Sequence, residues 1–222
     1  MLLAIKDSNL DQFVRTLSEE IVKIEPGCML HPNIFGAYET NKGKALAQQG
    51  LKMVAEYNEE VGANVARQAV TIVEGRTFLQ NPSLHQEVFG PFTMVVQCND
   101  KEQLMAIILK LEGQLTGTLI TQGDEANAYP GIIEALKNRL GRIIFNGVPT
   151  GVEVCPSMVH GGPYPASTDS RFTAVGINSI NRWVRPFSYQ DWPDTLLPEA
   201  LKNDNPLGII RLVNNQLTSE SI

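Results

Sequence analysis

The chain predicts an α/β fold, a mainly parallel sheet covered by helices on both faces, and two patterns carry that prediction. Short β-branched or apolar runs alternate with helix-length amphipathic stretches, the order expected of βαβ crossovers. That alternation fades beyond Thr173, where prolines and aromatics take over. We therefore divide the 222 residues into an α/β part, 1–184, and an irregular C-terminal tail, 185–222.

Leu2 to Ile5 reads as a buried strand that begins with no polar lead-in. Ser8 then caps a helix whose apolar face is Leu10, Phe13, Val14, Leu17, Ile21 and Ile24, stopped by Pro26-Gly27. A more polar helix is expected from about Pro32 to Gln49, weakened by Gly36 and Gly43. Strands follow at Leu51 to Tyr57 and Val65 to Val73, then a short helical turn around Phe78 and Leu79. After a strand from Thr93 to Gln97, Asp100 caps a helix carrying Leu104, Ile107, Ile108 and Leu111. Leu115 to Thr121 is a strand, Ile132, Ile133, Leu136 and Leu140 mark a helix, and Arg142 to Phe145 is the strand behind it. In such folds ligands sit beyond the carboxyl ends of the strands, which here points to Asn146-Gly147-Val148-Pro149-Thr150-Gly151. The tail sets Pro186, Pro193, Pro198 and Pro206 among Trp183, Phe187, Tyr189 and Trp192, so it cannot be a central strand or a long helix. Its aromatics call for burial against a surface or a partner subunit.

A net charge of −6 with no basic cluster argues against nucleic acid or an anionic membrane surface as partners. No apolar run approaches the roughly 18 to 20 residues that span a bilayer, and the first residues lack the n-region of a signal peptide. We expect a cytoplasmic protein with small-molecule or protein partners. Three scattered cysteines and three scattered histidines offer neither a disulfide framework nor a zinc spacing.

One stretch stands out for chemistry: Glu87-Val88-Phe89-Gly90-Pro91-Phe92, which runs straight into Thr93-Met94-Val95-Val96. A carboxylate and an aromatic ring two residues apart, stopped by Gly-Pro, read as a loop tip against a buried strand. Glu87 can accept two sugar hydroxyls, and Phe89 can face a flat heterocycle. The same residues would also serve as a solvated carboxylate and a core plug. The stretch resembles the Glu-x-Phe-Gly-Pro signature of the aldehyde dehydrogenase superfamily. That resemblance implies that Glu87 holds the nicotinamide ribose and that Phe89 lies near the nicotinamide ring.

The resemblance sharpens further on. Gly141-Arg142-Ile143-Ile144-Phe145-Asn146 with the following Gly147 to Cys155, His160-Gly161-Gly162-Pro163-Tyr164-Pro165-Ala166, Asp169 to Thr173 and the tail's Leu196 to Leu201 and Asp204 to Gly208 are similar to aldehyde dehydrogenases that oxidise α-ketoglutaric semialdehyde (2,5-dioxopentanoate). The similarity covers essentially the whole chain and implies the C-terminal part of such an enzyme, with an incomplete catalytic domain. In the complete enzyme a cysteine thiolate attacks the aldehyde, hydride passes to NAD or NADP, and the thioester is hydrolysed. The family's Gly-Gln-x-Cys-Thr-x-Pro-Gly motif, general-base glutamate, oxyanion-holding asparagine and cofactor domain have no counterpart among these residues. We therefore expect no catalytic residue here, weak or no dinucleotide binding, a homo-oligomer, and an N-terminal half-enzyme as a possible partner.

Two further residues are candidates for substrate contact. Arg171 can hold the carboxylate of an α-keto acid semialdehyde through two hydrogen bonds, or simply pair with Asp169. Cys155 lies near His160 across a glycine-rich loop, so a Cys/His nucleophile is conceivable. Yet nothing around Pro156 fixes its geometry, and a free cysteine is usually a small buried hydrophobe. A non-catalytic module for oligomerisation or protein binding is the competing reading of the whole chain.

Overall fold

The computed structural model describes residues 1–149 and 151–222, so Thr150 of the expected ligand loop lies outside the described residues. They form two compact units, Met1–Arg182 and Trp183–Ile222.

The first unit is built on four strands, β1 (Leu2–Ile5), β2 (Lys52–Glu56), β3 (Ala69–Glu74) and β4 (Phe92–Cys98), in the order β1-β4-β3-β2. β1 and β3 run parallel to β4, with Leu2 opposite Val95 and Ala69 opposite Phe92, while β2 is antiparallel to β3. A second parallel pair, β5 (Gln114–Leu119) with β6 (Leu140–Phe145), forms a sheet of its own. Parallel pairing dominates, but the main sheet is mixed. The near-continuous apolar runs of β3 and β4 reflect burial on both faces.

Helix α1 (Ser8–Ile21) covers one face, setting Leu10, Val14, Leu17 and Ile21 against Val70 and Val95. On the other face α3 (Gly75–Gln80) and α4 (Lys101–Lys110) bring Phe78 and Ile107 onto Val73, Met94 and Val96. Ile108 of α4 meets Ile132 and Ala135 of α5 (Pro130–Lys137), which extends this helical layer towards β6. Helix α2 (Pro32–Leu46) buries Tyr38, Lys42 and Ala45. Among the described residues no helix is long and apolar enough to cross a membrane.

Several boundaries depart from the sequence pattern, each for a local reason. The cap of α1 is Asp7, whose carboxylate accepts from Leu10 N at 2.7 Å, so Ser8 is already helical. The helix also stops at Ile21 although the apolar spacing runs on to Ile24. Gln68, from just before β3, donates its side-chain amide to the carbonyls of both Ile21 and Ile24 and terminates the helix there. Val65 is spent on an isolated bridge to Cys28, and β3 begins only at Ala69. Leu140 leaves the helical pattern for β6, because Gln114 N takes the Arg139 carbonyl at 2.7 Å and draws that residue into strand pairing.

The second unit contains short 3-10 turns at Asp194–Leu196 and Glu199–Leu201, and a hairpin of β7 (Arg211–Val213) and β8 (Gln216–Thr218). Asn214 and Asn215 turn the hairpin with φ of 49° and 66°, the two left-handed residues of a tight turn. Asn205 pins its base, donating to the Ile209 and Ser219 carbonyls at 3.0 and 2.7 Å. Phe187, Tyr189 and Trp192 contact one another in series, with ring centroids 5.1 and 5.8 Å apart.

Candidate functional site

A cleft of about 870 Å³ opens at the amino ends of β1, β4 and β5. Its walls are the loop from Leu84 to Gly90, Phe92 and Met94 of β4, the segment Glu112 to Thr116, and Pro165 with Ala166. The expected place was the opposite, carboxyl end of the strands, at Asn146. There the Asn146 side chain instead closes β5 onto β6: its oxygen accepts from Thr121 N and its amide donates to the Thr121 carbonyl, both at 2.8 Å. The general rule concerns loops that follow strands, whereas the loop with Glu87 and Phe89 precedes β4 and must lie at its amino end.

That loop is firmly held at its start. Leu84 is buried, and the His85 ring stacks on Phe78 at 4.2 Å while its Nε2 lies 2.8 Å from the Phe78 carbonyl oxygen. Asn81 caps the short turn Pro82–His85 by accepting from Ser83 N. His85 thus belongs to the wall of the site, which its isolated position in the sequence did not reveal. The signal available was its place two residues before Glu87. Beyond these anchors Glu87 is exposed to the cleft and makes no side-chain hydrogen bond or ion pair among the described residues. Phe89 shows 63% of its surface, so it is not a core plug. A free carboxylate and a bare aromatic face therefore share one wall.

Arg171 and Cys155 lie outside this wall. Arg171 is engaged by Asp169, with Nε to Oδ1 at 2.9 Å and Nη2 to Oδ2 at 2.6 Å. That pair lowers the Asp169 pKa from 3.8 to about 2, chiefly through the side-chain hydrogen bonds. Because the carboxyl pKa is depressed on folding, its contribution is present above the unfolded pKa and lost as pH falls through about 2. Carbon-13 NMR of the Asp169 carboxyl should accordingly give a midpoint near pH 2; a midpoint near 3.8 would mean the pair does not form in solution. The Cys155 thiol sits 3.5 Å from Ser157 Oγ, and no hydrogen bond links it to His160, whose Nδ1 is buried without a partner among the described residues. Cys98 is fully buried and its thiol is pushed up to about 11 by that burial. Among the described residues no group of three His, Cys, Asp or Glu side chains is placed to hold a metal ion.

No protein-family model matches the chain. It is 39% identical, over 96% of its length, to α-ketoglutaric semialdehyde dehydrogenase 2 of Azospirillum brasilense, and 38% identical, over 98%, to the α-ketoglutaric semialdehyde dehydrogenase of Acinetobacter baylyi. The chain belongs to the aldehyde dehydrogenase superfamily. It spans 40% and 42% of the lengths of those two relatives. An aldehyde dehydrogenase of known structure, succinic semialdehyde dehydrogenase from Streptococcus pyogenes in complex with NADP+, superposes with a TM-score of 0.57 at 16% identity, over 72% of this chain and 35% of its own. The α/β fold described above is thus an aldehyde dehydrogenase fold, matched over part of those longer chains.

Proposed function

We propose that this chain forms part of the catalytic α/β body of an NAD(P)+-dependent aldehyde dehydrogenase that oxidises α-ketoglutaric semialdehyde to 2-oxoglutarate. The observation that carries the reading is the shared wall of Glu87 and Phe89, a carboxylate with no side-chain hydrogen bond or ion pair among the described residues beside a bare ring on an open cleft. These groups fit the nicotinamide riboside end of a dinucleotide: Glu87 would accept the ribose hydroxyls and Phe89 would flank the ring. When bound, that cofactor supplies the acceptor for the aldehyde hydride. The chain's own contribution is to orient it and to close one side of the pocket. Nucleophile, general base and most dinucleotide contacts would come from the family's cofactor domain and cysteine motif, supplied in the test as a second polypeptide. Mixing the two should restore aldehyde-dependent NAD(P)H formation, and a mixture that forms a complex yet stays silent would sink the reading.

In that assembled enzyme, Glu87→Gln keeps the shape and removes the charge. Losing charge-assisted hydrogen bonds should cost about 1–3 kcal/mol, a roughly five- to 150-fold slower hydride transfer in single turnovers. An unchanged rate together with unchanged cofactor affinity would make Glu87 a solvated loop residue.

The second unit suits a subunit contact. Trp183, Phe187 and Trp192 are each more than half exposed, and so are Leu212 and Leu217, which face each other across the hairpin. Aromatic and aliphatic groups so exposed are more typical of an interface than of a solvated tail. Sedimentation should show a dimer or larger species, weakened by deletion of Arg185 to Ile222. A monomer at high concentration would refute this role.

A further inference from the structure

We infer that Tyr38, on α2 and outside the cleft, is the residue that positions the Glu87–Phe89 loop. The geometry stands by itself; its consequence for cofactor binding rests on the function proposed above. The phenol ring is 1% exposed, and its hydroxyl donates to the Arg67 carbonyl at 2.6 Å and reaches the Pro91 carbonyl at 3.4 Å. One hydroxyl thus spans the chain entering β3 and the chain entering β4. Gly90 lies directly against the ring, with φ at +152°, and a Cβ built there would fall 2.9 Å from Cε2 and nearer still to Cδ2. The loop can therefore take its course only because position 90 has no side chain.

The ring is itself held in place. Lys42, one helical turn on, sets its ammonium 5.0 Å from the ring centroid and is fixed by Glu39 and Glu56, each at 3.0 Å. Burial raises the phenol pKa, ahead of the effect of the neighbouring Glu39 and Glu56 charges, so the hydroxyl stays a donor at any working pH. The exit of the loop is tied as well: Phe92 N donates to the Gly90 carbonyl at 2.7 Å and Ala69 N to the Pro91 carbonyl at 2.9 Å. Tyr38 is thus in contact with both residues that end the loop, while Glu87 and Phe89 project freely from it. An error of about 1 Å in such a support is enough to cost two orders of magnitude in rate.

A residue that merely fills the core would tolerate loss of the hydroxyl, since the ring keeps its volume. The test is Tyr38→Phe in the full chain, read by native-state hydrogen exchange. The Ala69 and Phe92 amides, bonded to the loop carbonyls, should exchange about two- to tenfold faster, with Ile72 and Val95 in the middle of the sheet unchanged. No change at Ala69 and Phe92, or the same acceleration throughout the sheet, would overturn the inference. Gly90→Ala, which pushes a methyl group into the ring, supplies a second variant and should accelerate the same two amides. In the assembled enzyme Tyr38→Phe should raise KM for the nicotinamide cofactor severalfold, and Tyr38→Trp should not rescue it. A local exchange effect with no activity in any mixture would leave Tyr38 as the loop support and refute the proposed function, whereas activity with an unaltered KM would refute the positioning role.

Discussion

Incubated alone with α-ketoglutaric semialdehyde and NAD+ or NADP+, this chain should form no NAD(P)H. The proposed route needs a thiolate to form the hemithioacetal, a base to activate water and a bound nicotinamide to receive hydride, and removing one member of such a unit abolishes most of the rate. Of the three thiols, Cys98 is sealed in the core with its pKa pushed up to about 11, and Cys28 is exposed and is not among the residues lining the cleft. Among the described residues the Cys155 thiol has Ser157 Oγ as its hydrogen-bond partner and no base bonded to it. The chain also has no Gly-x-Gly-x-x-Gly turn between a strand and a helix, so Glu87 and Phe89 would have to bind a dinucleotide almost unaided. Titration calorimetry should therefore detect no binding tighter than millimolar. Should these residues alone oxidise the aldehyde, and Cys155→Ala stop it, the nucleophile lies among them and the proposal that it comes from the family's cysteine motif is wrong.

What could be read from the sequence divides along physical lines. Strands β3 and β4 and helix α4 were legible because their signals are local: β-branched runs, and an Asp100 carboxylate that accepts from Gln103 N at 2.7 Å. The loop with Glu87 and Phe89 was legible for the same reason, Gly-Pro being a stop that any fold must respect. The end of α1 was not, because Gln68, distant in sequence, decides it. Nor was the role of Tyr38, whose partners Arg67, Gly90 and Pro91 come from two other parts of the chain. The tail hairpin was overlooked although Asn214-Asn215 between two apolar-alternating triplets is a usable turn signal. Its strands are too short for periodicity to announce them.

Phe78→Ala should produce the largest loss of stability among single changes near the cleft. Phe78 is fully buried in α3, in one cluster with Val73, Met94, Val96, Cys98 and Ile107, so its truncation leaves a cavity in the layer between the helices and the sheet. Such a change costs about 3–5 kcal/mol, which in a chain of this size lowers Tm by roughly 6–20 °C. The same side chain also stacks under His85, at the root of the loop that carries Glu87. His85 would keep its contact with the Phe78 carbonyl but lose the ring beneath it, so the loop should loosen as the core weakens. Phe89→Ala is the matched control: its ring is largely exposed, and the change should move stability by no more than about 0.5 kcal/mol. Chemical denaturation of the two variants separates the roles. If Phe78→Ala cost under about 1 kcal/mol, the layer would be able to collapse around the missing ring, and the loop that carries Glu87 and Phe89 would have no rigid footing.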